Sequence, residues 1–170
     1  MKLKIARFLT IMFVSLSMAP AIAHLLEMSP KMAYNGPFWL KISQTLYGRG
    51  FGTVGAFFEV GAVVTSIILV VMVRHHKPAF TWSILCAICM LAIHVSFWIW
   101  IAPVNIKIAA MTPETLITDW TQLRYQWEIT HAARAYLHIV AIAAISISIL
   151  VETSNNNFSK PEYSKLKLKS

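Results

Sequence analysis

Charged side chains are scarce in this sequence. Only seven of the 170 residues are Asp or Glu, charged residues make up 13% of the chain, and 57% of it is hydrophobic. This balance excludes a water-soluble domain with an ordinary charged surface. Four long apolar stretches each approach the ~20 residues that a helix needs to cross the hydrocarbon core of a membrane. They lie at about 5–26, 51–73, 79–102 and 129–151.

The four stretches predict an all-α fold, an integral membrane four-helix bundle that occupies residues 1–152. Residues 153–170 are polar and then lysine-rich. We expect this tail to be disordered, because it holds too few apolar residues to form a core. The lipid bilayer is then the main partner of the chain.

Cysteine is also rare. The chain has two cysteines, Cys86 and Cys89, which form a C-x-x-C inside the third stretch. Four-helix membrane thiol oxidoreductases need a second cysteine pair to pass electrons, so this class is excluded, and we expect both thiols to be small buried residues. The sequence also lacks a Walker loop, GxGxxG, GxSxG and HExxH, the short motifs of nucleotide-binding proteins, serine hydrolases and zinc proteases.

Basic residues outnumber acidic ones, for a net charge of +8. They are scattered along the flanks of the apolar stretches, which favours membrane anchoring and excludes a nucleic-acid interface. Nine of the fifteen share one side of the predicted bundle, so the positive-inside rule predicts cytoplasmic termini in a bacterial inner membrane, crossed several times. The nine are Lys2, Lys4, Arg7, Arg74, Lys77, Lys160, Lys165, Lys167 and Lys169.

The N-terminal stretch permits a second interpretation. Three basic residues precede an apolar run that ends in Ala21-Ile22-Ala23, which resembles the cleavage site of a secretory signal peptide. Cleavage there would make His24 the N-terminal residue, able to chelate copper through its amine and ring. A retained helix fits better, because the apolar run is longer than a usual signal core.

The two longer loops, at about 28–50 and 103–128, are predicted to face outward. Apolar residues at helical spacing in residues 37–47 predict a short helix in the membrane interface. We expect the glycines at 48, 50 and 52 to end this helix, Pro103 to end the third span, and residues 119–127 to continue as a helix into the fourth. Gly52, Gly55 and Gly61 would allow close helix packing.

Ionisable side chains inside the spans point to a function, because they are costly in hydrocarbon. Two pairs at i,i+3 spacing each place an imidazole and a carboxylate on one helix face. Because successive helices alternate in direction, six of these residues all fall in the outer half of the membrane. At about 1.5 Å per residue, Glu59 lies roughly 10 Å and His94 roughly 13 Å below the outer boundary. The six residues are His24, Glu27, Glu59, His94, Glu128 and His131.

This set predicts a metal site. Helix-bundle di-iron proteins combine carboxylates from two helices with Glu-x-x-His pairs from two others, and mixed His and carboxylate ligation suits iron, manganese, zinc or copper. Here one pair is reversed, and a histidine stands where a carboxylate is expected. Two alternatives remain open: a metal-free site for a polar or quinone-like ligand, and hydrogen-bonded pairs that only tie the bundle together, such as Glu59 with Arg134 or His94.

The fourth span carries a polar stripe, Trp127, His131, Arg134 and His138, at i, i+4, i+7 and i+11. His138 is a candidate haem ligand opposite His94, a proton-relay residue, or a buried imidazole bonded to a backbone carbonyl. Arg134 can hold an anionic ligand or neutralise the carboxylates. Without a metal, Glu128 or His131 is a candidate general base for an acidic phenol or hydroquinone.

Several motifs carry a resemblance to a known group. They are Ala23-His24-Leu25-Leu26-Glu27-Met28-x-x-Lys31, Leu46-Tyr47, Glu59, Pro103-Val104-Asn105 and Leu123-Arg124-Tyr125-Gln126-Trp127-Glu128-x-x-His131-x-x-Arg134. Together they resemble small four-helix bacterial integral membrane proteins of unknown function, distantly grouped with anthrone oxygenases, over residues 23–151. The resemblance implies a four-helix membrane fold, with oxygen-dependent oxidation of a phenolic substrate somewhere in the wider group.

The sequence therefore predicts a membrane-embedded oxidoreductase or oxygenase-like protein with a His/Glu site in the periplasmic half of the bundle. Iron, copper, zinc, manganese or haem is the expected cofactor, and a quinone or small aromatic molecule the expected ligand. The alternatives are a metal-free binding protein and a non-catalytic accessory subunit that pairs with another membrane protein.

Overall fold

The computed structural model describes residues 1–116 and 118–158, with side chains as far as Val151. Within these residues every regular element is a helix. The α-helices are α1 (Lys2–Ala33), α2 (Gly36–Ile42), α3 (Gly52–Val73), α4 (Lys77–Ser96), α5 (Ala102–Ala110) and α6 (Trp120–Phe158). The first π segment, Ser43–Phe51, joins α2 to α3, and the second π segment, Phe97–Ile101, joins α4 to α5.

Four helices are long and apolar enough to cross a membrane, which confirms the predicted all-α class and indicates a multi-pass membrane protein. They are Lys2–Ala33, Gly36–Val73, Lys77–Ala110 and Trp120–Val151. Large apolar side chains such as Phe57, Val64 and Ile139 are exposed on their outer faces. This surface fits contact with lipid, because lipid solvates apolar side chains as well as a protein core does.

The four long helices form a closed ring in which α1 packs on α3 and α6, and α4 packs on the same two helices. Small and medium side chains fill the centre, among them Val14, Cys86, Met90 and Ile145, each with no exposed surface. The two cysteines are reduced and buried, as predicted. This core occupies the end of the bundle nearer the α3–α4 turn.

A second apolar cluster covers the other end. Trp39 and Leu40 of α2 pack there with Ile108 of α5 and with Leu123 and Trp127 of α6. Polar side chains hold this layer by satisfying free backbone groups at helix ends. Gln44 donates to the backbone oxygens of Ile108 and Met111, at 2.8 Å each, and Arg124 donates to those of Lys31 and Tyr34 at 3.2 and 2.6 Å.

The helices are longer than the sequence indicates. α1 continues to Ala33, although it contains Pro20 and Pro30. The third span does not end at Pro103, because Pro103 occupies the first turn of α5, where a helix needs no N–H from that residue. Likewise Gly48, Gly50 and Gly52 do not break the chain; they lie in or beside the first π segment, with negative φ angles.

The short helix predicted in the first outer loop is present as α2. Asn35 caps it by accepting a hydrogen bond from the backbone N–H of Phe38 at 3.0 Å, and a proline follows in the first turn. The run from residue 119 into the fourth span is also helical, as expected. α6 extends to Phe158, so the backbone is helical beyond residue 152, and residues 159–170 of the predicted tail lie outside the described residues.

Candidate functional site

A cavity of about 370 Å³ lies between the four long helices. Ring packing of α1, α3, α4 and α6 leaves this space where the two apolar clusters meet. The walls include most of the ionisable residues that the sequence singles out: His24, Glu59, His94, His131, Arg134 and His138. The residues are thus brought together in three dimensions, whereas Glu27 and Glu128 do not line the cavity.

Glu59 of α3 is held by two partners from different helices. One carboxylate oxygen accepts a hydrogen bond from Nη2 of Arg134, and the other lies 3.0 Å from Nδ1 of His94. Arg134 and Glu59 are both nearly buried, with side-chain exposures of 9% and 10%. The charge of the carboxylate is therefore balanced by the guanidinium, as one of the alternatives from the sequence predicts.

Both ring nitrogens of His94 are engaged by protein groups. Nδ1 donates to the Glu59 carboxylate, and Nε2 accepts a hydrogen bond from the indole N–H of Trp98 at 3.2 Å. An indole nitrogen can only donate, so the two contacts fix which nitrogen carries the proton. Neither nitrogen is left to ligate haem in this arrangement.

His138 is satisfied in the same way. Its Nδ1 donates to the backbone oxygen of Arg134 at 2.8 Å, and its Nε2 lies 3.0 Å from Oγ of Ser17. Because a carbonyl oxygen only accepts, Nε2 is the accepting nitrogen and the Ser17 hydroxyl donates to it. This geometry is that of the buried imidazole bonded to a backbone carbonyl, one of the three alternatives for His138.

His131 differs from the other two, because only one of its ring nitrogens is engaged. Nδ1 donates to the backbone oxygen of Trp127 at 2.8 Å, so Nε2 carries the lone pair of the neutral ring. Among the described residues Nε2 has no hydrogen-bond partner, and His131 lines the cavity. Its ring also stacks on that of His24, with centroids 4.1 Å apart and planes inclined by 32°.

Lys31 lies between two residues of the predicted ligand set, His24 and Glu128. Its ammonium donates to Nδ1 of His24 at 2.9 Å and lies 2.7 Å from Oε2 of Glu128. The same ammonium lies over the rings of Tyr47 and Trp127, at 4.8 and 5.5 Å from their centroids. A cation thus occupies the position between imidazole and carboxylate that a metal ion would need.

The Glu27 carboxylate is engaged by the side chain of Tyr47. The hydroxyl of Tyr47, in the first π segment, donates a hydrogen bond to the Glu27 carboxylate. Tyr47 lines the cavity and Glu27 is half-buried beside it. Glu27 therefore supports the wall of the cavity from behind.

No group of three or more His, Cys, Asp or Glu side chains in the described part of the chain could hold a metal ion. Lys31 is paired with Glu128 and Arg134 with Glu59, so basic side chains hold two of the three carboxylates of the predicted ligand set. The predicted six-residue ligand set is not assembled, and the prediction of a metal site has no support in this arrangement.

Two residues of the cavity lining each contain a buried polar atom without a hydrogen-bond partner in the described residues, Oγ of Ser43 and Nε of Arg134. A buried polar atom without a partner costs about 1–3 kcal/mol. Both atoms have almost no accessible surface, so neither is presented to the cavity. His24 does offer a donor there: its Nδ1 accepts from Lys31, so Nε2 carries the proton, and Nε2 has no hydrogen-bond partner in the described residues.

Both π segments contribute to the cavity. Ser43, Tyr47 and Phe51 come from the first segment, and Phe97 and Trp98 from the second. A π-helical turn inserts an extra residue into the helix and is frequently found at functional sites. The segments allow the two spans to bend around the cavity without ending.

Lys31, Tyr47 and Ser43 are the site residues that sequence reasoning misses. All three fall in the stretch interpreted as an outer loop. A signal for Lys31 does exist, because His24, Glu27 and Lys31 follow i, i+3 and i+7 spacing and share one face if α1 continues past Pro30. No comparable pattern distinguishes Ser43.

Comparison with known proteins returns no match of any kind. No protein-family model, no curated protein and no solved structure is similar to this chain. The chemistry of the cavity is what remains to indicate a function.

Proposed function

We propose that this protein is a membrane-embedded oxidoreductase that binds a small phenol, hydroquinone or quinone in the central cavity. The observation that carries the proposal is the unengaged Nε2 of His131 on the cavity wall. A cavity of about 370 Å³ falls in the range of about 300–1,000 Å³ that is usual for small-molecule sites. Aromatic and apolar side chains supply most of its surface.

His131 acts as the general base. Its Nε2 accepts the proton of a bound phenolic hydroxyl, which raises the electron density of the ring and prepares it to give electrons to dioxygen or to a quinone. The backbone oxygen of Trp127 holds the imidazole in the required tautomer through Nδ1. His24, stacked on His131, keeps the ring plane in position.

Arg134 and Glu59 shape the charge of the cavity. Because the Arg134 guanidinium is paired with a carboxylate, the wall carries little net charge. A phenolate formed beside His131 would be stabilised by the Nε2 proton of His24, which has no partner in the described residues. His94 holds the other Glu59 oxygen and acts as a positioning residue.

The proposal includes a bacterial inner membrane location, both termini in the cytoplasm, α2 in the outer interface, and the cavity in the periplasmic half. The distribution of basic residues supports this orientation. Ser17, Pro20 and Ala21 of α1 line the cavity. The site therefore needs a retained first helix, since cleavage after Ala23 would remove one wall.

Grouping with the anthrone oxygenases agrees with oxidation of a phenol, and it stays part of the proposal. A transition metal or haem also stays a prediction. Metal and optical analysis of the detergent-purified protein tests it, with stoichiometric iron, copper, zinc or manganese, or a Soret band, as the positive result.

A second candidate function is supported by one observation: the ionisable cavity residues are all engaged by protein groups, and only His24 and His131 have a ring nitrogen without a partner in the described residues. Such pairing is what a non-catalytic accessory subunit needs, because polar pairs specify how helices pack. In that case single substitutions lower stability and have no effect on ligand binding.

The test is ligand binding to purified protein in nanodiscs. We expect a panel of phenols, hydroquinones and quinones to contain ligands that bind, and we expect His131→Gln to weaken their binding at least about tenfold, or about 1.4 kcal/mol. His75→Gln is the matched control, because His75 is exposed in the α3–α4 turn. It should bind as the wild type does.

Two results would contradict the proposal. One is a folded wild-type protein that binds no member of the panel. The other is a ligand whose affinity is the same in His131→Gln and in the wild type, which would leave the accessory-subunit candidate as the better account.

A further inference from the structure

The cavity has an opening on the side of the bundle. Half of its lining residues are buried, whereas Gly48 of the first π segment, Gly52, Ala56 and Val60 of α3, and Trp98 of the second π segment are exposed. The three α3 residues follow i, i+4 and i+8 spacing and therefore form one strip along the helix. The opening lies between this strip and Trp98, and we call it the lateral mouth.

Apolar side chains surround the lateral mouth. Phe57 is 65% exposed beside the strip, and Val95 and Ile99 are 50% and 53% exposed beside Trp98. Both helices are candidate membrane spans. At about 1.5 Å per residue, Val60 lies about 20 Å along α3 from Val73, which is within the ~30 Å hydrocarbon core. The mouth therefore faces acyl chains.

The far wall of the cavity is polar by contrast. Nε2 of His131 is an acceptor and Nε2 of His24 is a donor, and neither has a hydrogen-bond partner in the described residues. The cavity thus offers hydrogen bonds inside and hydrocarbon at its opening, which is the polarity of an amphiphilic ligand.

Cavity volume limits how much of such a ligand is enclosed. A space of about 370 Å³ is near the lower end of the range for small-molecule sites. It accommodates a substituted aromatic ring but not a long alkyl or prenyl chain as well. Any such chain has to leave through the opening.

We infer that the ligand is a membrane-dissolved phenol or quinone with a long hydrocarbon tail, which enters the cavity from the bilayer through the lateral mouth. Its ring hydrogen-bonds with His131 and His24, and its tail passes between Val60 and Trp98 into the lipid. Trp98 is held at this edge by its hydrogen bond to His94. This inference rests on the proposed function and specifies its ligand.

The experiment compares two probes in nanodiscs: a benzoquinol that carries a decyl chain, and the same ring with a methyl group instead. Val60→Trp narrows the mouth and should weaken binding of the decyl probe at least about tenfold, while the methyl probe changes by less than about threefold. Ala56→Phe, a second narrowing variant, should act in the same direction. Ile68→Trp is the control, because Ile68 is 48% exposed on α3 and does not line the cavity.

Comparing each probe with itself between variants removes the effect of its partition into lipid. Equal effects of both narrowing variants on the two probes, or no effect on either, would overturn the inference while the ring-binding function stands. If the wild type binds neither probe, the proposed function fails first and the inference fails with it. A decyl-specific loss in Val60→Trp and Ala56→Phe, absent in Ile68→Trp, supports both.

Discussion

Nζ of Lys31 lies 2.7 Å from Oε2 of Glu128, and the two side chains are 1% and 0% exposed. The contact joins the last turn of α1 to the third turn of α6, so it ties the first span to the last. It is close but not aligned as a hydrogen bond, and neither oxygen of Glu128 has a hydrogen-bond partner in the described residues. Electrostatic attraction in a medium of low dielectric constant therefore dominates this pair.

Removing one member of the pair should destabilise the fold more than removing both. Lys31→Met leaves the Glu128 carboxylate buried without a counter-ion and should cost about 3–5 kcal/mol. The double variant Lys31→Met, Glu128→Leu removes both charges and should recover most of that loss. Thermal or denaturant unfolding in detergent of the two single variants and the double variant measures the coupling.

Lys41→Met provides the control for this cycle, because Lys41 is exposed on α2. Its free energy of unfolding should stay within about 0.5 kcal/mol of the wild-type value. Additive effects of the Lys31 and Glu128 substitutions would show that the two charges do not stabilise each other.

Gly61 is the glycine at which α1 and α3 approach most closely. A Cβ placed there would lie 2.3 Å from two ring carbons of Phe13, whereas one at Gly50 would meet nothing within 4 Å. Gly61→Ala should therefore force the Phe13 ring to move and lower the free energy of unfolding by about 1–3 kcal/mol. Gly50→Ala should be neutral or slightly stabilising. Equal stability of the two variants, measured by thermal unfolding in detergent, would contradict this account.

Ser43 and Ser17 are equally buried, at 4% exposure each, but they differ in their hydrogen bonds. The Ser17 hydroxyl donates to His138, whereas that of Ser43 has no partner in the described residues. Ser17→Ala should lower stability by about 1 kcal/mol, and Ser43→Ala should leave it unchanged or raise it. Both are measured by thermal unfolding of the protein without ligand.

Orientation in the membrane can be tested with single cysteines. In a Cys86→Ala, Cys89→Ala background, Glu114→Cys and His76→Cys each place a thiol at an exposed loop position. The proposed topology has Glu114→Cys labelled by a membrane-impermeant maleimide in intact cells and His76→Cys labelled only after permeabilisation. The opposite pattern would place the cavity in the cytoplasmic half.

Much of the fold follows from the sequence. Residues such as those around Glu59 and His94 lie in apolar stretches of spanning length, and this length is set by the thickness of a bilayer. The ends of the helices are predicted less well from the sequence. Gly48 and Pro103 resemble helix breakers, but each lies inside continuous helical structure, because a π segment accommodates Gly48 and the first turn of α5 accommodates Pro103. Pro30 likewise lies inside α1.

The candidate site, too, is predicted only in part by the sequence. Rarity of ionisable residues in hydrocarbon is a property of the sequence. Of the residues that it singles out, His24, Glu59, His94, His131, Arg134 and His138 line one cavity, whereas Glu27 and Glu128 do not. Their hydrogen bonds are not determined in this way. An i,i+3 pair fixes which face of a helix two side chains share, but not what the facing helix presents to them.

By itself, then, the sequence determines four apolar helices and the depth at which their ionisable residues lie. The reason is that charged and ionisable side chains are costly in hydrocarbon and are therefore rare there. Only the tertiary structure decides that Lys31 lies between His24 and Glu128, that Arg134 pairs with Glu59, and that Nε2 of His131 faces the cavity without a partner in the described residues. The physical reason is that a buried charge takes its partner from whichever helix packs against it. That neighbour is set by the packing of the whole bundle.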